Sequence, residues 1–458
     1  MRNEKRFVAK DLGLDLEKVK CFDHHLCHAA SAYYASSFNK EKALVLTLDG
    51  EGDNFCASVN IFNRKKIKVL SRTPREDSLG YIYYDLTRFL GMKGNEHEYK
   101  VMGLAPYAKL EYVNKLWEKV DKIVKVDKEK LVFKCIFNTT DTKRYLKKEM
   151  IEVRFDVLAG LFQKLVEEKT LEWVKAAVKK TGIKTLVLSG GVFMNVKLNQ
   201  KIAELPEVKE IFVLPSCADE SSVLGSSYLA YIEAIKKNER IEIKSIKDVY
   251  WGPEFKDDEV KKVLDSLDKQ KYTVKKYSNT ETEIAKILAN GSIVARLKGK
   301  MEFGARALGN RSILADPRNP DIIRVINESV KNRDFWMPFA PSILKERQDD
   351  YIVNPKKLDA YYMMMTFDTT TRGREDLKAA MHPYDFTVRP QLVNRNYNPS
   401  YHRLIEEFEE LTGVGGVLNT SFNIHGYPIV LGPKEAIHTF KNSGIEYLAI
   451  NNYIIKKI

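Results

Sequence analysis

Cysteine is scarce in this sequence, and its positions share no recognisable pattern. The five cysteines among 458 residues are Cys21, Cys27, Cys56, Cys135 and Cys217, and no two form a C-x-x-C pair. Disulfide frameworks need paired cysteines, and structural zinc sites need closely spaced ones. The scatter argues against both, and it predicts a protein of the reducing cytoplasm.

Long apolar runs are absent as well. No stretch approaches the roughly 20 apolar residues of a membrane-spanning helix, and residues 1–20 lack the apolar core of a signal peptide. With 44% hydrophobic and 30% charged residues, the composition is that of a folded globular protein. The sequence therefore predicts no membrane partner, a cytoplasmic location, and enough chain for two or three domains.

The net charge is strongly positive, at +13 from 75 basic and 62 acidic side chains. Such a balance favours anionic ligands such as nucleotides, phosphates or RNA. The lysines, however, alternate with acidic residues on predicted solvated helix faces, as in residues 111–130. The charge therefore indicates a lysine-rich surface and does not by itself favour a nucleic-acid partner.

Strand and helix patterns alternate along the chain. Residues 43–72 are predicted to form three strands around a tight acidic-glycine turn, and helical periodicity covers residues 79–90 and 157–180. Strand-turn-helix units are predicted at residues 184–202 and 211–237. Further strands are predicted at residues 291–297, 413–420 and 445–455. This alternation predicts an α/β fold, and a charged stretch divides it into domains of residues 1–245 and 246–458.

Three of the eight histidines lie at positions 24, 25 and 28, before an alanine-rich stretch predicted to be helical. His24 and His28 are spaced i, i+4, so they project from one helix face and could share a metal ion. His25 points elsewhere and could support the site or contact a substrate. The alternative is a polar helix face that binds no metal.

Two aspartates could complete a set of four metal ligands. Asp49 ends a predicted strand and opens the sequence DGEGD, and Asp219 lies between a strand and a helix of small residues. A simple Asp-Gly turn is the alternative for Asp49. Gly190 and Gly191 lie between a strand and a helix, where bare amides and the helix N-terminus could bind a phosphate or nucleotide.

The second half contains basic and amide-rich motifs. Arg306 and Arg311 lie among glycines in residues 298–318, and forked guanidinium groups bind phosphate with a defined orientation. An exposed basic loop is the alternative. Asn419 and Asn423, in VLNTSFNIHGYPIV, predict either a polar ligand site or a structural turn.

Six motifs occur together and in a familiar order. They are DHHLCHAASAYYAS, LDGEGD, KVMGLAPYA, LSGGVFMNVKLN, EFGARALGNRSILADPR and LNTSFNIHGYPIV. This set closely resembles the NodU/CmcH-type O-carbamoyltransferases, and the resemblance extends from about Val19 to Ile455. It implies an actin-like ATPase (Kae1-like) N-terminal domain, similar to the tRNA threonylcarbamoyl transferases, and a YrdC-like C-terminal domain.

The resemblance also implies an activity. Family members form carbamoyl adenylate from carbamoyl phosphate and ATP, and they transfer the carbamoyl group to a hydroxyl of a small molecule. They normally begin with a further segment that carries a Gly-His-Asp-Ala-Ser loop, which does not occur here. We therefore expect an N-terminally truncated first domain, completed by an upstream segment or a separately encoded one; a homo-oligomer is the other expected assembly.

Site residues carry over from the matching motifs. The resemblance assigns metal ligands, with iron as the expected ion, to His24, His28, Asp49 and Asp219. It assigns a nucleotide loop to Gly190, Gly191 and Asn195. It assigns carbamoyl-phosphate contacts to Arg306 and Arg311, with Arg333 and Arg389 added. Further cofactor contacts are expected at Lys100, Asn419 and Asn423. His25 is the expected catalytic base, with a metal-bound group as the alternative.

One departure and two other functions remain open. Met337 stands where the family usually has arginine, which would weaken one anion contact. The chain could be a catalytically inactive ligand-binding remnant, or a tRNA-modifying carbamoyl transfer protein. A concentrated basic face would favour the tRNA function, whereas the arginines here cluster in a glycine loop. The sequence does not identify the hydroxylated acceptor.

Overall fold

The computed structural model describes residues 2–235, 242–331 and 333–458. The chain divides into two compact units, which are described separately. Unit 1 consists of Met1–Val101 and Ala108–Ile246, and unit 2 consists of Met102–Tyr107 and Lys247–Ile458. The division after Ile246 lies one residue from the expected domain boundary, and the short segment Met102–Tyr107 belongs to unit 2.

Unit 1 is built on a five-stranded sheet. The strands of unit 1 are β1 (Lys42–Gly52), β2 (Phe55–Asn63), β3 (Lys66–Pro74), β4 (Val124–Asp127), β5 (Val132–Cys135), β6 (Thr185–Ser189) and β7 (Glu210–Val213). The sheet order is β3-β2-β1-β6-β7, with β4 and β5 forming a separate pair. Strands β1 to β3 are antiparallel, and β6 and β7 run parallel to β1. The predicted strands around the acidic-glycine turn are confirmed.

The helices of unit 1 follow the predicted alternation. They are α1 (Arg2–Asp11), α2 (His24–Ala35), α3 (Leu79–Phe89), α4 (Glu98–Leu104, whose last three residues belong to unit 2), α5 (Leu110–Asp121), α6 (Thr142–Glu149), α7 (Phe155–Thr181), α8 (Val196–Glu204) and α9 (Ser222–Ala234). Helix α2 begins where the Asp23 carboxylate accepts a hydrogen bond from Leu26 N, which satisfies a free amide of the first turn. Its alanines Ala29, Ala30 and Ala32 are fully buried, so small side chains let neighbouring elements approach the histidine helix closely.

Helix α9 is one of those close neighbours, and the contact depends on a glycine. A Cβ atom placed on Gly225 would lie 1.9 Å from the carbonyl oxygen of Cys27 in α2. Real Cβ atoms do not approach backbone oxygens so closely, so any side chain would push the two helices apart.

We expect Gly225→Ala to destabilise unit 1 by about 2 kcal/mol or more, because overpacking forces backbone shifts. The Tm should fall by roughly 4–8 °C, measured by circular dichroism. Ser227→Ala is the matched control, since Ser227 is an exposed residue of the same helix. An unchanged Tm for Gly225→Ala would contradict the close packing of α2 and α9.

Unit 2 contains an eight-stranded mixed sheet in the order β14-β11-β15-β10-β9-β16-β17-β8. The strands of unit 2 are β8 (Tyr272–Lys276), β9 (Val294–Leu297), β10 (Arg311–Ala315), β11 (Ala340–Leu344), β12 (Phe367–Asp368), β13 (Thr387–Val388), β14 (Gln391–Val393), β15 (Gly416–Ser421), β16 (Tyr447–Ile450) and β17 (Tyr453–Lys457). Its helices are α10 (Asp257–Leu264), α11 (Thr280–Ala289), α12 (Asp321–Ile326), α13 (Gln348–Tyr351), α14 (Thr371–Asp376), α15 (Pro399–Thr412) and α16 (Pro433–Lys441). Both units are therefore mixed α/β. Within the described ranges, no helix combines the length and hydropathy that a membrane span requires.

The five cysteines are all free thiols, and only one of them is exposed. Cys27, Cys56 and Cys217 are buried, Cys135 is half-buried, and Cys21 lies at the surface. Burial raises the pKa of Cys27 and that of Cys135 to about 12. These thiols are therefore protonated at neutral pH, and the disulfide framework that the sequence argued against is absent.

Candidate functional site

The structure brings the four expected metal ligands together at the end of β1 in unit 1. The Nε2 atoms of His24 and His28 lie 3.0 Å apart, and each lies 3.1 Å from Asp49 Oδ2. Asp219 Oδ1 lies 3.6 Å from both nitrogens. All four donor atoms fall within 4.8 Å of one another, a spacing that one coordination sphere can span. The Asp219 side chain is 78% exposed, so the cluster is open on that side.

The charges in this cluster suit a cation. Burial disfavours a charged His28, but the Asp219 and Asp49 carboxylates outweigh it and raise the pKa of His28 to about 9. Burial likewise opposes ionisation of Asp49, yet hydrogen bonds from His24 and His28 hold its pKa well below the usual range. Two imidazole nitrogens and two carboxylate oxygens form a donor set that divalent transition metals prefer. The residues therefore fit the metal that the resemblance implies.

Two residues that the sequence did not single out hold the histidines in place. Ser221 Oγ lies 3.1 Å from His28 Nδ1 and is fully buried. A hydrogen bond at the second ring nitrogen fixes which nitrogen faces the metal. The Asp53 carboxylate accepts a hydrogen bond of 2.8 Å from His24 N. In the sequence, the only signal for Ser221 and Asp53 is that they lie close to Asp219 and Asp49.

His25 does not occupy the position of a catalytic base, which corrects the sequence expectation. Its Nδ1 atom lies 2.8 Å from Thr47 Oγ1, and its Nε2 atom donates to the Phe55 carbonyl oxygen at 2.9 Å. Only 1% of the residue is exposed, and burial lowers the pKa of His25. Both ring nitrogens are therefore engaged, and the residue ties α2 to β1 and β2.

The glycine pair also requires a correction, because its amides are not bare. Gly190 N donates to the Cys217 carbonyl oxygen, and Gly191 N donates to Asp49 Oδ1 at 3.2 Å. Gly190 has a φ of +108°, and a Cβ there would lie 2.4 Å from the Leu48 carbonyl oxygen. Both glycines are thus required by close approach to β1, and the Gly191 amide holds the Asp49 carboxylate.

Asn195 has a structural role in place of the expected nucleotide contact. Its Oδ1 atom caps α8 by accepting from Leu198 N at 3.1 Å. Its amide pairs reciprocally with Gln163 of α7, at 2.9 Å and 3.1 Å. Gln163 also accepts a hydrogen bond from the Tyr83 hydroxyl at 2.8 Å. The Asn195 side chain therefore fixes the loop between β6 and α8, and Gln163 was not predictable from any local pattern.

Arg311 is not an anion-binding residue, again contrary to the sequence expectation. It is fully buried, and its guanidinium donates only to backbone carbonyl oxygens. The acceptors are those of Pro253, Gly299, Asn310 and Leu431, at 3.0–3.1 Å. Burial lowers the pKa of Arg311 to about 10. The side chain is committed to these carbonyls.

Three other arginines form a group of like charge in unit 2. Burial lowers the pKa of Arg389 well below its usual range, and the positive charges of Arg306 and Arg333 lower it further. The half-buried Arg389 makes no hydrogen bond or ion pair with any residue that the structure describes. The Arg333 guanidinium lies 5.3 Å from the centroid of the Phe339 ring. Like charges held together in this way are typical of a site for an anion.

Polar side chains of β15 and its loop adjoin this arginine group. Lys331 is 1% exposed, and its ammonium donates to the side chains of Ser421 and Asn423. Burial, followed by the charge of Arg333, lowers the pKa of Lys331. Asn423 thus contacts the buried Lys331 side chain close to Arg333, and no local sequence pattern indicated Lys331.

The two other expected cofactor contacts are Asn419 in unit 2 and Lys100 in unit 1. Asn419 is buried, and its amide donates to the Ala307 carbonyl oxygen at 3.0 Å and to Ser342 Oγ at 2.9 Å. The amide nitrogen of Asn419 therefore anchors the loop before β10, and a direct cofactor contact by this residue stays a prediction. Lys100 lies half-buried on α4 in unit 1, and a cofactor contact there stays a prediction.

Comparison with known proteins gives one consistent family. Residues 7–228 match the model of the Carbamoyltransferase N-terminus, and residues 285–457 match that of the Carbamoyltransferase C-terminus. An uncharacterized protein of Methanocaldococcus jannaschii is 35% identical over 475 residues, which cover 100% of this chain and 76% of the relative. Nodulation protein NolNO of Sinorhizobium fredii is 32% identical over 456 residues, covering 98% of this chain and 66% of the relative.

The solved structures that match have a lower sequence identity to this chain. Full-length HypF in a phosphate- and nucleotide-bound form is 17% identical, with a TM-score of 0.32 over 49% of this chain and 38% of HypF. Component A of the Acidaminococcus fermentans (R)-2-hydroxyglutaryl-CoA dehydratase is 18% identical, with a TM-score of 0.27 over 46% of this chain and 68% of its own. At these scores neither structure indicates a function for the chain.

Proposed function

The chain belongs to the carbamoyltransferase family, and from this premise we propose that it forms carbamoyl adenylate from carbamoyl phosphate and ATP and then carbamoylates a hydroxyl group of a small molecule. The observation that carries the proposal is the group of Arg306, Arg333 and Arg389 in unit 2, where burial and then the charges of the other two arginines depress the pKa of Arg389. Arginines held close together, with a perturbed pKa at one of them, are typical of a site that binds an anion. The phosphate of carbamoyl phosphate is an anion of the required kind.

The proposed reaction releases three leaving groups in sequence. Water releases inorganic phosphate from carbamoyl phosphate and leaves carbamate, whose oxygen attacks the α-phosphorus of ATP and expels pyrophosphate. The acceptor hydroxyl then attacks the carbamoyl carbon, AMP leaves, and the hydroxyl proton passes to solvent. Each carbamoylated product should therefore accompany one phosphate, one pyrophosphate and one AMP.

The arginine group supplies the charge that the first steps need. Carbamoyl phosphate and ATP are both polyanions, and their mutual repulsion opposes attack on the α-phosphorus. Guanidinium groups fixed in a partly buried site neutralise this charge without reorganising during the reaction. Arg306, Arg333 and Arg389 would hold the phosphate group, and Lys331 would keep Asn423 and the loop around it in position.

The cluster in unit 1 would hold a divalent metal ion, and iron is the first candidate. His24, His28, Asp49 and Asp219 provide the donors, and two histidines with carboxylates and an open side are a common ligand set for iron(II). When bound, such an ion supplies Lewis-acid stabilisation of oxygen anions. Ser221 would hold the His28 ring, and the Gly191 amide would hold Asp49.

The proposal can be tested by product analysis with an arginine variant. We expect the protein with ATP, carbamoyl phosphate and iron(II) to release phosphate and pyrophosphate in a 1:1 ratio, and to turn over with a polyhydroxylated acceptor. Arg306→Ala should slow carbamoyl-phosphate-dependent pyrophosphate release by about 10²–10³-fold, because a preorganised contact to the anion is lost. ATP binding, measured by calorimetry, should be unchanged.

Arg324→Ala is the matched control, because Arg324 is an exposed arginine of unit 2 that pairs with Glu328. Unchanged pyrophosphate release by Arg306→Ala would remove this residue from the active site. No turnover by the wild-type protein with any acceptor would favour the inactive ligand-binding alternative. Release of pyrophosphate only in the presence of tRNA would favour the tRNA-modifying alternative.

A further inference from the structure

The loop that carries Arg306 has an unusual support. Residues 307–309 lie between β9 and β10, outside both strands, and their backbone carbonyl groups accept hydrogen bonds from side chains. The donors are Asn419 for Ala307, Tyr250 and Gln391 for Leu308, and Arg296 for Gly309. Asn419 and Arg296 are at most 2% exposed. The surrounding core therefore specifies the loop conformation.

A single carboxylate oxygen satisfies most of the loop amides. Glu302 Oε1 accepts hydrogen bonds from Leu308 N at 2.7 Å, Asn310 N at 2.8 Å and Arg311 N at 3.2 Å. Glu302 is 6% exposed, and hydrogen bonds from N–H groups to a buried carboxylate are among the stronger ones in proteins. The carboxylate thus closes the segment after Arg306 into a compact turn.

The opposite side of this turn is held by Arg311. Its guanidinium donates to the carbonyl oxygens of Gly299 and Asn310, and to those of Pro253 and Leu431 from outside the loop. The negative charge of Glu302 favours the buried positive charge of Arg311. Neither side chain is therefore available to a ligand, although both belong to the motif that contains Arg306.

We propose that Glu302 is a positioning residue for the anion site, which holds the turn so that Arg306 is presented in a fixed direction. The inference rests on the proposed function, since Arg306 is there assigned to carbamoyl phosphate. Glu302 does not contact the substrate. Its hydrogen bonds to the amides of Leu308 and Asn310 fix the backbone that follows Arg306, and so the position of Arg306. Misplacing a binding group by about 1 Å can cost about 10²-fold in rate.

The test compares two variants of Glu302. Glutamine keeps an oxygen where Oε1 accepts the three amides, whereas alanine removes it. We expect Glu302→Ala to lower kcat/KM for carbamoyl phosphate by about 10²-fold, mainly through KM, with the ATP affinity unchanged. Glu302→Gln should stay within about fivefold of the wild type. Hydrogen exchange should show loss of protection at Leu308, Asn310 and Arg311 in the alanine variant and retention in the glutamine variant.

Asp316→Ala controls for the loss of a buried carboxylate in unit 2, because Asp316 pairs with Arg318 and does not contact the turn. If Glu302→Ala fails to fold, Glu302→Asp replaces it, since the shorter side chain cannot reach all three amides. An unchanged KM for carbamoyl phosphate in a folded variant with unprotected amides would overturn the inference. Equal losses in the alanine and glutamine variants would also overturn it. Absence of turnover in the wild type would instead count against the proposed function, and the exchange measurement would still report on the turn.

Discussion

An Asp49→Asn variant is expected to lose carbamoyl transfer by about 10³-fold and to bind its metal ion poorly. Asp49 Oδ2 is the one atom that lies 3.1 Å from both histidine nitrogens, and Oδ1 of the same carboxylate accepts from Gly50 N and Gly191 N. Asparagine would remove the charge that balances a cation and would place an amide N–H₂ against one of these partners. Loss of several kcal/mol of stabilisation from a metal corresponds to a rate change of this size.

The measurement combines metal content by mass spectrometry with the rate of carbamoyl transfer. Glu51→Gln is the matched control, because Glu51 is an exposed acidic residue of the same strand whose carboxylate pairs with Arg75. Its rate and metal content should stay within about threefold of the wild type, since surface substitutions away from a site have small effects. If Asp49→Asn retained full metal and activity, the four-ligand cluster would not be the functional site.

Replacing Arg389 with methionine is expected to abolish carbamoyl-phosphate-dependent pyrophosphate release while making the protein more stable. The folded state depresses the pKa of Arg389, first by burial and then through Arg306 and Arg333. A cation whose pKa is depressed in the folded state costs stability at neutral pH, where the unfolded chain keeps it charged in water. Methionine fills similar space without the charge, so unfolding should become about 1 kcal/mol less favourable and the Tm should rise by roughly 2–4 °C.

The expected loss of pyrophosphate release and the expected rise in Tm together distinguish this prediction from a simple loss of folding. A variant that loses activity because it misfolds would have a lower Tm than the wild type. A variant that loses activity because the repulsion among like charges is removed would have a higher Tm. Arg372→Met is the control, because Arg372 is an arginine of the same unit that pairs with Asp376. A Tm below that of the wild type for Arg389→Met would contradict the like-charge origin of the site.

The elements of the fold could be predicted where periodicity and turn residues agree. The strand before Asp49, the acidic-glycine turn and the long helix Phe155–Thr181 all appear close to their predicted positions. Local pattern also sufficed to bring the two histidines together, because i, i+4 spacing puts His24 and His28 on one helix face. The convergence of Asp49 and Asp219 followed from strand ends, because β1 and β7 run parallel on either side of β6 and their carboxyl ends lie at one edge of the sheet.

The role of the individual arginines could not be predicted in the same way. Arg306 and Arg311 look equivalent in the sequence, yet only Arg311 is fully buried. Its acceptors Pro253 and Leu431 lie 58 and 120 residues away, so no window of the sequence contains its environment. The same holds for Gln163, whose partner Asn195 is 32 residues distant. Side chains that serve the backbone of a remote loop carry no local signature.

His25, Gly190 and Gly191 illustrate a related difficulty. A sequence pattern identifies a group capable of chemistry, but it does not tell whether that group is already engaged by a neighbour. The His25 nitrogens are used by Thr47 and Phe55, and the glycine amides are used by Cys217 and Asp49. Satisfied donors and acceptors are the rule in buried regions.

The distribution of the thiols has a practical consequence for spectroscopy. Since the other cysteines are buried or half-buried and only Cys21 is exposed, a maleimide dye should attach at one position without any engineered substitution. Cys21 lies three residues before His24, so a fluorophore there would sit beside the histidine helix. Paramagnetic ions quench nearby fluorophores steeply with distance, whereas zinc does not. One labelled preparation, titrated with different ions in turn, would therefore report occupancy of the cluster and distinguish open-shell from closed-shell metals.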